Sequence, residues 1–559
     1  MSNVERSIIK SIEEAIKTIF PDCCDRVLPS LYLEVPKDKK FGDFSTNIAM
    51  RLSREMKKSP MELATIVFDE IEKNPALPEV VRDIKIEKPG FINFYLSNIA
   101  VISAITEIVR QGDGFGKVPL GKGKSVQVEF VSANPTGPLT IAHGRQAAVG
   151  DSLARILQFC GYKVTREYYI NDEGVQMNIL ALSVKARVME LMGDEYEFPE
   201  NGYKGLYIYD IAKEIASNKD KKALSDDFII EYAYKSIMEA IKKDLMDFGV
   251  EFDVWFSQKK LFSSGKLKKA LSILRDKGFL YEKDGATWFA STKFGDDKDR
   301  VVMKSDGSLT YLASDIAYHK EKFGKGYKWV IDIWGPDHHG YINRLTAACQ
   351  ALGYSKDALS ILICQLVTLY RDKKPVRMST RGGEFVTLRE VMDEVGKDAT
   401  RFFFIMRRTD SHLDFDLELA KAKTMDNPVY YIQYAHARIA SVLKFAGESC
   451  SRGLNLDYRI SSLKGIDLHL LDKPEEIDII KILMQYPKII ESSVRNLEPY
   501  ILLSYLQDLA RIFHFYYDSY RIVTDDDSLT KARLLLIGVV QMILFSGLTL
   551  LGVATPEKM

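Results

Sequence analysis

The sequence has no surplus of charge: 77 Lys and Arg residues balance 77 Asp and Glu residues. That balance gives no global pull toward nucleic acid or membrane, and leaves a local basic patch as the route to an RNA partner. Cysteine is scarce, with six in 559 residues: Cys23, Cys24, Cys160, Cys349, Cys364 and Cys450. None forms a CxxC pair or a Cys/His spacing typical of a metal site. No structural zinc and no disulfide framework are therefore expected, and reduced thiols in a cytoplasmic protein are. Long apolar runs are also missing. The best candidate, Leu534–Leu551, is interrupted by Gly538, Gln541, Ser546, Gly547 and Thr549. It reads as a buried helix pair, so no membrane partner is expected. The opening stretch, MSNVERSIIKSIEEAI, has the acids of an amphipathic helix, not the pattern of a signal peptide.

What is present divides into three regions, enough chain for several cores. Residues 1 to about 118 combine helical spacing (Ile48, Leu52, Met56; Leu63, Ile66, Val67, Ile71) with two short strands, Ile84–Glu87 and Phe91–Leu96, about Pro89-Gly90. This is a small α+β unit with a core of its own, followed by a Gly/Lys-rich linker, Gln111–Lys124. Modularity of that kind predicts that it can be removed without unfolding the rest. Residues about 119–420 alternate strand and helix, which predicts a parallel sheet with ligands at the strand C-terminal ends. The expected strands are Val126–Phe130, Lys163–Ile170, Trp329–Ile333 and Ile361–Val367, with helices from about Ala142 to Phe159 and about Tyr341 to Leu352. A charged helical insertion occupies about 175–285. Residues about 421–559 are almost entirely helical.

The most informative stretch is Val126–Arg145, VQVEFVSANPTGPLTIAHGR. A strand breaks at Asn134-Pro135-Thr136-Gly137-Pro138 and a helix begins, so free N–H groups and a positive dipole end face any anion docked there. The wording resembles the first signature of class I aminoacyl-tRNA synthetases, a loop carrying HIGH. SANPTGPL ahead of it resembles the arginyl-tRNA synthetase version. The likeness runs along the whole chain: GDFSTN and PGFINFYL in the first region, WGPDHHG and VRMSTRGGEFV in the second, and the helical phrases and LLGVATPEKM tail of the third.

The resemblance implies a multidomain α/β protein with a Rossmann-like catalytic domain, an additional N-terminal domain docking on the tRNA elbow, and an all-helical DALR anticodon-binding bundle. It implies ATP-dependent attachment of L-arginine to tRNA(Arg) through arginyl-adenylate, with magnesium arriving on ATP, tRNA needed for activation, and a monomer. Thr140 and Ala142 stand where the signature has its first His and its Gly; His143 keeps the last His. Thr140, His143, Arg377, Met378 and Ser379 are the implied catalytic set, the last three matching KMSKS with Thr380 in place of the second Lys. Lys373, Lys374 or Arg381 would supply further charge. Arginine is implied to contact Glu129, Ser132, Asn134, Thr140, Tyr311 and Asp315; the spacing of four puts Tyr311 and Asp315 on one helix face. Carboxylates suit a guanidinium because planar acceptors match its fork. ATP is implied to contact Ala142, His143, Gly144, Asp337, His338 and His339 with Arg377, Met378 and Ser379, and no metal ligands are implied.

Two other classes fit parts of the pattern. The departures at Thr140, Ala142 and Thr380 suit a weakened paralogue that binds RNA or arginine as a regulator. A cysteinyl enzyme would share the helical domain, but would bring zinc-ligating cysteines near the pocket.

Overall fold

The computed structural model describes residues 3–36, 38–217, 225–376, 386–449 and 466–559. Its centre is a five-stranded parallel sheet in the order Leu359–Ile363, Trp329–Trp334, Ser125–Glu129, Lys163–Ile170, Val254–Ser257. Numbered along the chain, that order is 5-4-1-2-3, the doubly wound arrangement. Its switch point lies between Ser125–Glu129 and Trp329–Trp334, which pair in parallel register. A ligand crevice belongs at the C-terminal ends of those two strands.

Helix Ile141–Phe159 connects the first two strands and lies close on the sheet. Gly150 permits this: a Cβ there would meet the Phe130 ring at 2.2 Å. The helix is buried along most of its length, including Arg145 and Asp151.

Four expectations need correction. The run Ile361–Val367 is not one strand. It is split between Leu359–Ile363 in the main sheet and Val367–Arg371 in a second small sheet with Leu413–Asp416. The cause is Arg145, whose guanidinium takes the carbonyls of Gln365 and Ser411 at 2.9 and 2.8 Å, and of Arg408 at 2.8 Å. The stretch 175–285 is not a purely helical insertion either. Helices Val175–Met192, Leu206–Ser217 and Asp226–Asp247 are followed by Val254–Ser257, which returns to the edge of the main sheet. The expected helix pair near the C-terminus is a single helix, Asp527–Leu551, long and apolar enough to cross a membrane but with 78% of its most apolar window buried inside the fold. Its Gly547 faces Leu506 at 2.6 Å from an added Cβ, so the glycine serves packing and not a turn. Finally, Gln111–Lys124 is not a free tether. Phe115 is buried and stacks on Tyr486 at 6.2 Å, and the N–H groups of Gly121 and Gly123 donate to Cys160 and Gly161.

The C-terminal helices Pro428–Ser449, Pro474–Arg495, Tyr500–Ser519 and Asp527–Leu551 pack on one another. They also grip the region of the parallel sheet. Arg401, fully buried, bonds the Asp151 carboxylate at 2.6 Å and the Leu551 carbonyl at 3.1 Å. Asp151 carries Arg155 as well, and although burial opposes its charge, Arg401, Arg155 and Arg166 hold its carboxyl below the usual aspartate value. Gln433 and His436 hold the tail through the carbonyls of Ala554 and Pro556.

Candidate active site

The loop after strand Ser125–Glu129 is held in an unusual conformation. Val131 and Ser132 both have positive φ, 68° and 40°. A β-branched residue there is a real outlier, and such strain gathers at functional sites. Side chains enforce it. Ser132 Oγ donates to Glu129 Oε1 at 3.0 Å and accepts the Tyr169 N–H at 3.1 Å, while Tyr168 OH reaches the Ala133 carbonyl at 3.0 Å. Farther along, Tyr207 OH donates to the Thr136 carbonyl at 2.7 Å. Asn134 is left exposed.

Thr140 caps helix Ile141–Phe159. Its backbone N–H donates to His143 Nδ1 at 3.1 Å. The neutral ring therefore carries its proton on Nε2, where it is a hydrogen-bond donor beside the free amides of the first turn. Burial lowers the His143 pKa to about 4, so the ring stays neutral at physiological pH. Ala142 is half-buried, and Gly144 turns inward: an added Cβ would meet Leu388 at 2.7 Å and Phe404 at 2.8 Å. Thr140 bridges to Thr387, and the Leu388 N–H donates to Leu139. The chain thus comes back to the first signature directly after the second. Arg377, Met378 and Ser379, with Thr380 and Arg381, lie outside the described residues.

Helix Tyr311–Gly324 covers the other side of the switch point. Tyr311, 75% exposed, opens it. One turn on, Asp315 offers a carboxylate to which no described residue donates; only its backbone carbonyl is engaged, by His319 Nδ1 at 2.8 Å. Burial lifts its pKa to about 6, against the attraction of His319 and with the added repulsion of Glu129 and Asp332. Continuing along the helix, His319 meets Asp332 at 2.7 Å, and Lys322 meets Glu129 at 2.5 Å and Asp332 at 2.7 Å. Both His319 ring nitrogens face oxygen atoms, the Asp315 carbonyl and the Asp332 carboxylate. Burial works against the Lys322 charge, yet Asp332 and Glu129 hold its pKa above the ordinary lysine value. Burial lifts Glu129 above its usual value despite Lys322.

The structure therefore brings together Glu129, Ser132 and Asp315, and adds Lys322, His319 and Asp332, which motif reading missed. One signal for two of them was available. His319 lies four residues after Asp315 and Lys322 three after His319, which puts all three on the same helix face. Asp337, His338 and His339 are exposed on the short 3₁₀ turn Pro336–Tyr341 that precedes helix Ile342–Leu352. That turn leaves the end of strand Trp329–Trp334, with Gly335 against Gln146 of the signature helix. His, Cys, Asp and Glu form no metal-sized cluster among the described residues.

Comparison with known proteins matches three family models in series. These are the arginyl tRNA synthetase N-terminal domain over residues 6–96, the catalytic domain of class I (R) tRNA synthetases over 104–425, and the DALR anticodon binding domain over 432–559. The chain is 48% identical over 539 residues to an arginine–tRNA ligase of Citrifermentans bemidjiense, covering 95% of both chains. It belongs to the arginyl-tRNA synthetase family. An arginine–tRNA ligase of Listeria monocytogenes is 46% identical, again over 95% of each chain. The solved structure of the Thermus thermophilus arginyl-tRNA synthetase, 22% identical, shares the fold with a TM-score of 0.77 over 99% of this chain and all of that one. In this family fold the sheet order opens a crevice at the switch point, and His143 and Asp315 lie on the two helices that flank it.

Proposed function

We propose that this chain ligates L-arginine to tRNA(Arg). The arginine carboxylate attacks the α-phosphorus of ATP, pyrophosphate leaves, and the terminal ribose hydroxyl of tRNA then attacks the adenylate carbonyl and releases AMP. The observation that carries the arginine reading is Asp315, a carboxylate to which no described residue donates, set beside Glu129 at the switch point. A guanidinium supplies the missing cation and its planar donors. Tyr311, Ser132 and Asn134 line the approach in this reading. Thr140 and His143, with the helix amides, would hold phosphate or ribose oxygens, which suits a reaction whose catalysis is positioning and charge stabilisation. Asp337, His338 and His339 are assigned to the nucleotide, as are Ala142 and Gly144, the latter as a packing residue. Arg377, Met378 and Ser379 are assigned to the triphosphate. Magnesium comes with ATP as substrate. In this reading the chain divides at 1–118, 119–420 and 421–559, the outer parts bind tRNA, and the protein works in the cytoplasm as a monomer.

Charging of purified tRNA with radiolabelled arginine tests this. Acid-precipitable label is expected, and ATP–pyrophosphate exchange is expected to be negligible until tRNA is added. A chain that binds arginine and tRNA yet charges nothing at any ATP concentration is the regulator instead.

The departure at Ala142 has its own expected effect. A methyl crowding the adenine face costs about 1–3 kcal/mol. Ala142→Gly should therefore lower the KM for ATP several-fold and leave that for arginine unchanged. An unchanged ATP KM would put the methyl away from the base.

A further inference from the structure

Three carboxylates stand side by side on one face of the central sheet. Glu167, Glu129 and Asp332 are register partners on neighbouring parallel strands, and all three are buried. Partners in register point to the same face. The sheet itself offers no cation in that row; the helix above does. Lys322 Nζ is shared by Glu129 and Asp332, His319 meets Asp332, Tyr318 OH donates to Glu167 at 2.5 Å, and Lys325 stands 3.7 Å from Glu167. With Asp315, four carboxylates gather in this cluster, and among the described residues Lys322 is the one cation that two of them share.

We propose that Lys322 is a positioning and specificity residue for the arginine pocket: by bridging Asp332 to Glu129 it fixes the Glu129 carboxylate in place and keeps both acids ionised opposite a guanidinium. This rests on the arginine reading above and adds residues to which that reading assigns nothing.

The path from Lys322 to the pocket is short. Lys322 holds one oxygen of Glu129, and the other accepts the Ser132 hydroxyl at 3.0 Å. Ser132 belongs to the strained pair Val131-Ser132, two residues before Asn134. Releasing Glu129 therefore releases the loop that carries two more implied arginine contacts. A neutral side chain at 322 would leave Glu129 and Asp332 as adjacent buried carboxylates with one cation fewer, and such pairs take up a proton. Position and charge would be lost together. The nucleotide side is not part of this chain of contacts: His143 bonds Thr140, and Gly335 borders Gln146.

Lys322→Met and Asp332→Asn test the proposal in the full chain, with thermal melts to establish folding. Arginine KM is expected to rise tenfold or more in Lys322→Met and at least threefold in Asp332→Asn, with ATP KM within twofold of wild type in both. Preference for arginine over citrulline, its neutral ureido isostere, should fall by a similar factor. A merely structural lysine would raise both KM values together or lower kcat alone, and either result overturns the proposal. If Lys322→Met does not fold, the isosteric Asp332→Asn decides, and an unchanged arginine KM there overturns it. A wild-type chain that charges no arginine sinks the functional reading; a wild type that charges it, beside variants with unaltered arginine KM, sinks only this inference.

Discussion

Asp315→Asn is expected to remove most of the arginine affinity while making the unliganded protein harder to unfold. The two effects have one cause. Asp315 carries a charge in a half-buried place where no described residue donates to it, and burial lifts its pKa from 3.8 to about 6. The groups that face it are His319, Lys322, Glu129 and Asp332, and both His319 and Lys322 are already committed to the two buried carboxylates. A folded-state pKa above the unfolded value means that the native state binds the proton more tightly. The penalty is thus absent below the unfolded value, grows between pH 4 and 6, and is complete above 6. Fully converted, that gap is about 3 kcal/mol, and partial solvent contact leaves roughly 1–2 kcal/mol. Asparagine keeps the shape and drops the charge. Its urea midpoint at pH 7.5 should exceed that of wild type, and the two should converge near pH 4. Arginine binding should weaken by about 2–4 kcal/mol, because a desolvated charged hydrogen bond is lost. In wild type the arginine Kd should rise as pH falls through 6 and the carboxylate is protonated, while ATP affinity stays flat. Calorimetric titration with arginine and with ATP, paired with urea melts, reads all of this. Undiminished arginine affinity in Asp315→Asn would place the residue outside the pocket. Loss of affinity with a lowered midpoint would mean that Asp315 supports the fold instead.

Much of this site was legible because its signals are local. Strand Lys163–Ile170 and strand Phe91–Leu96 follow from alternation and their bounding turns, and the helix after SANPTGPL begins one residue before the expected start. Glu129 and Asp315 were reachable from wording and spacing. Asp332 was not. Within WVIDIW it is one acid in an apolar strand, and its meaning comes from lying beside Glu129, which is brought there by a crossover of some two hundred residues. Lys322 could be placed on the face of Asp315, but its partners could not. The misread strand Ile361–Val367 has the same origin. Its residues are apolar throughout, and what turns the chain away at Gln365 is a guanidinium 220 positions upstream. Sequence periodicity reports which face is buried; it does not report which distant side chain caps a carbonyl.

Cutting the chain after residue 118 is expected to leave an aggregating remainder, against the modularity read from composition. Helix Asn98–Gln111 lies between the N-terminal unit and the C-terminal bundle and packs on helices Pro474–Arg495 and Asp527–Leu551. Val101, Ile105 and Ile108 have essentially no exposure. Burying each such side chain contributes about 1.5–3 kcal/mol, so uncovering them and their partners costs roughly 5–9 kcal/mol. That is comparable with the entire stability of an ordinary domain, about 5–15 kcal/mol. The cut also removes Phe115 from Tyr486, and Asp43 from its 2.7 Å pair with Lys481. An exposed apolar surface of this kind associates with itself. A cut at about residue 97 keeps the helix and Phe115 over the bundle, although it too loses the Asp43–Lys481 pair. That shorter deletion should give a soluble protein with an intact ATP site and weakened tRNA affinity, whereas the longer one should elute as aggregate. Size-exclusion chromatography of the two, followed by tRNA titration of whichever is soluble, separates the effects. If the protein starting at 119 is monomeric and melts like the full chain, the bundle does not need its covering helix. If the protein starting near 97 binds tRNA as tightly as the intact chain, the first domain has no part in holding the nucleic acid.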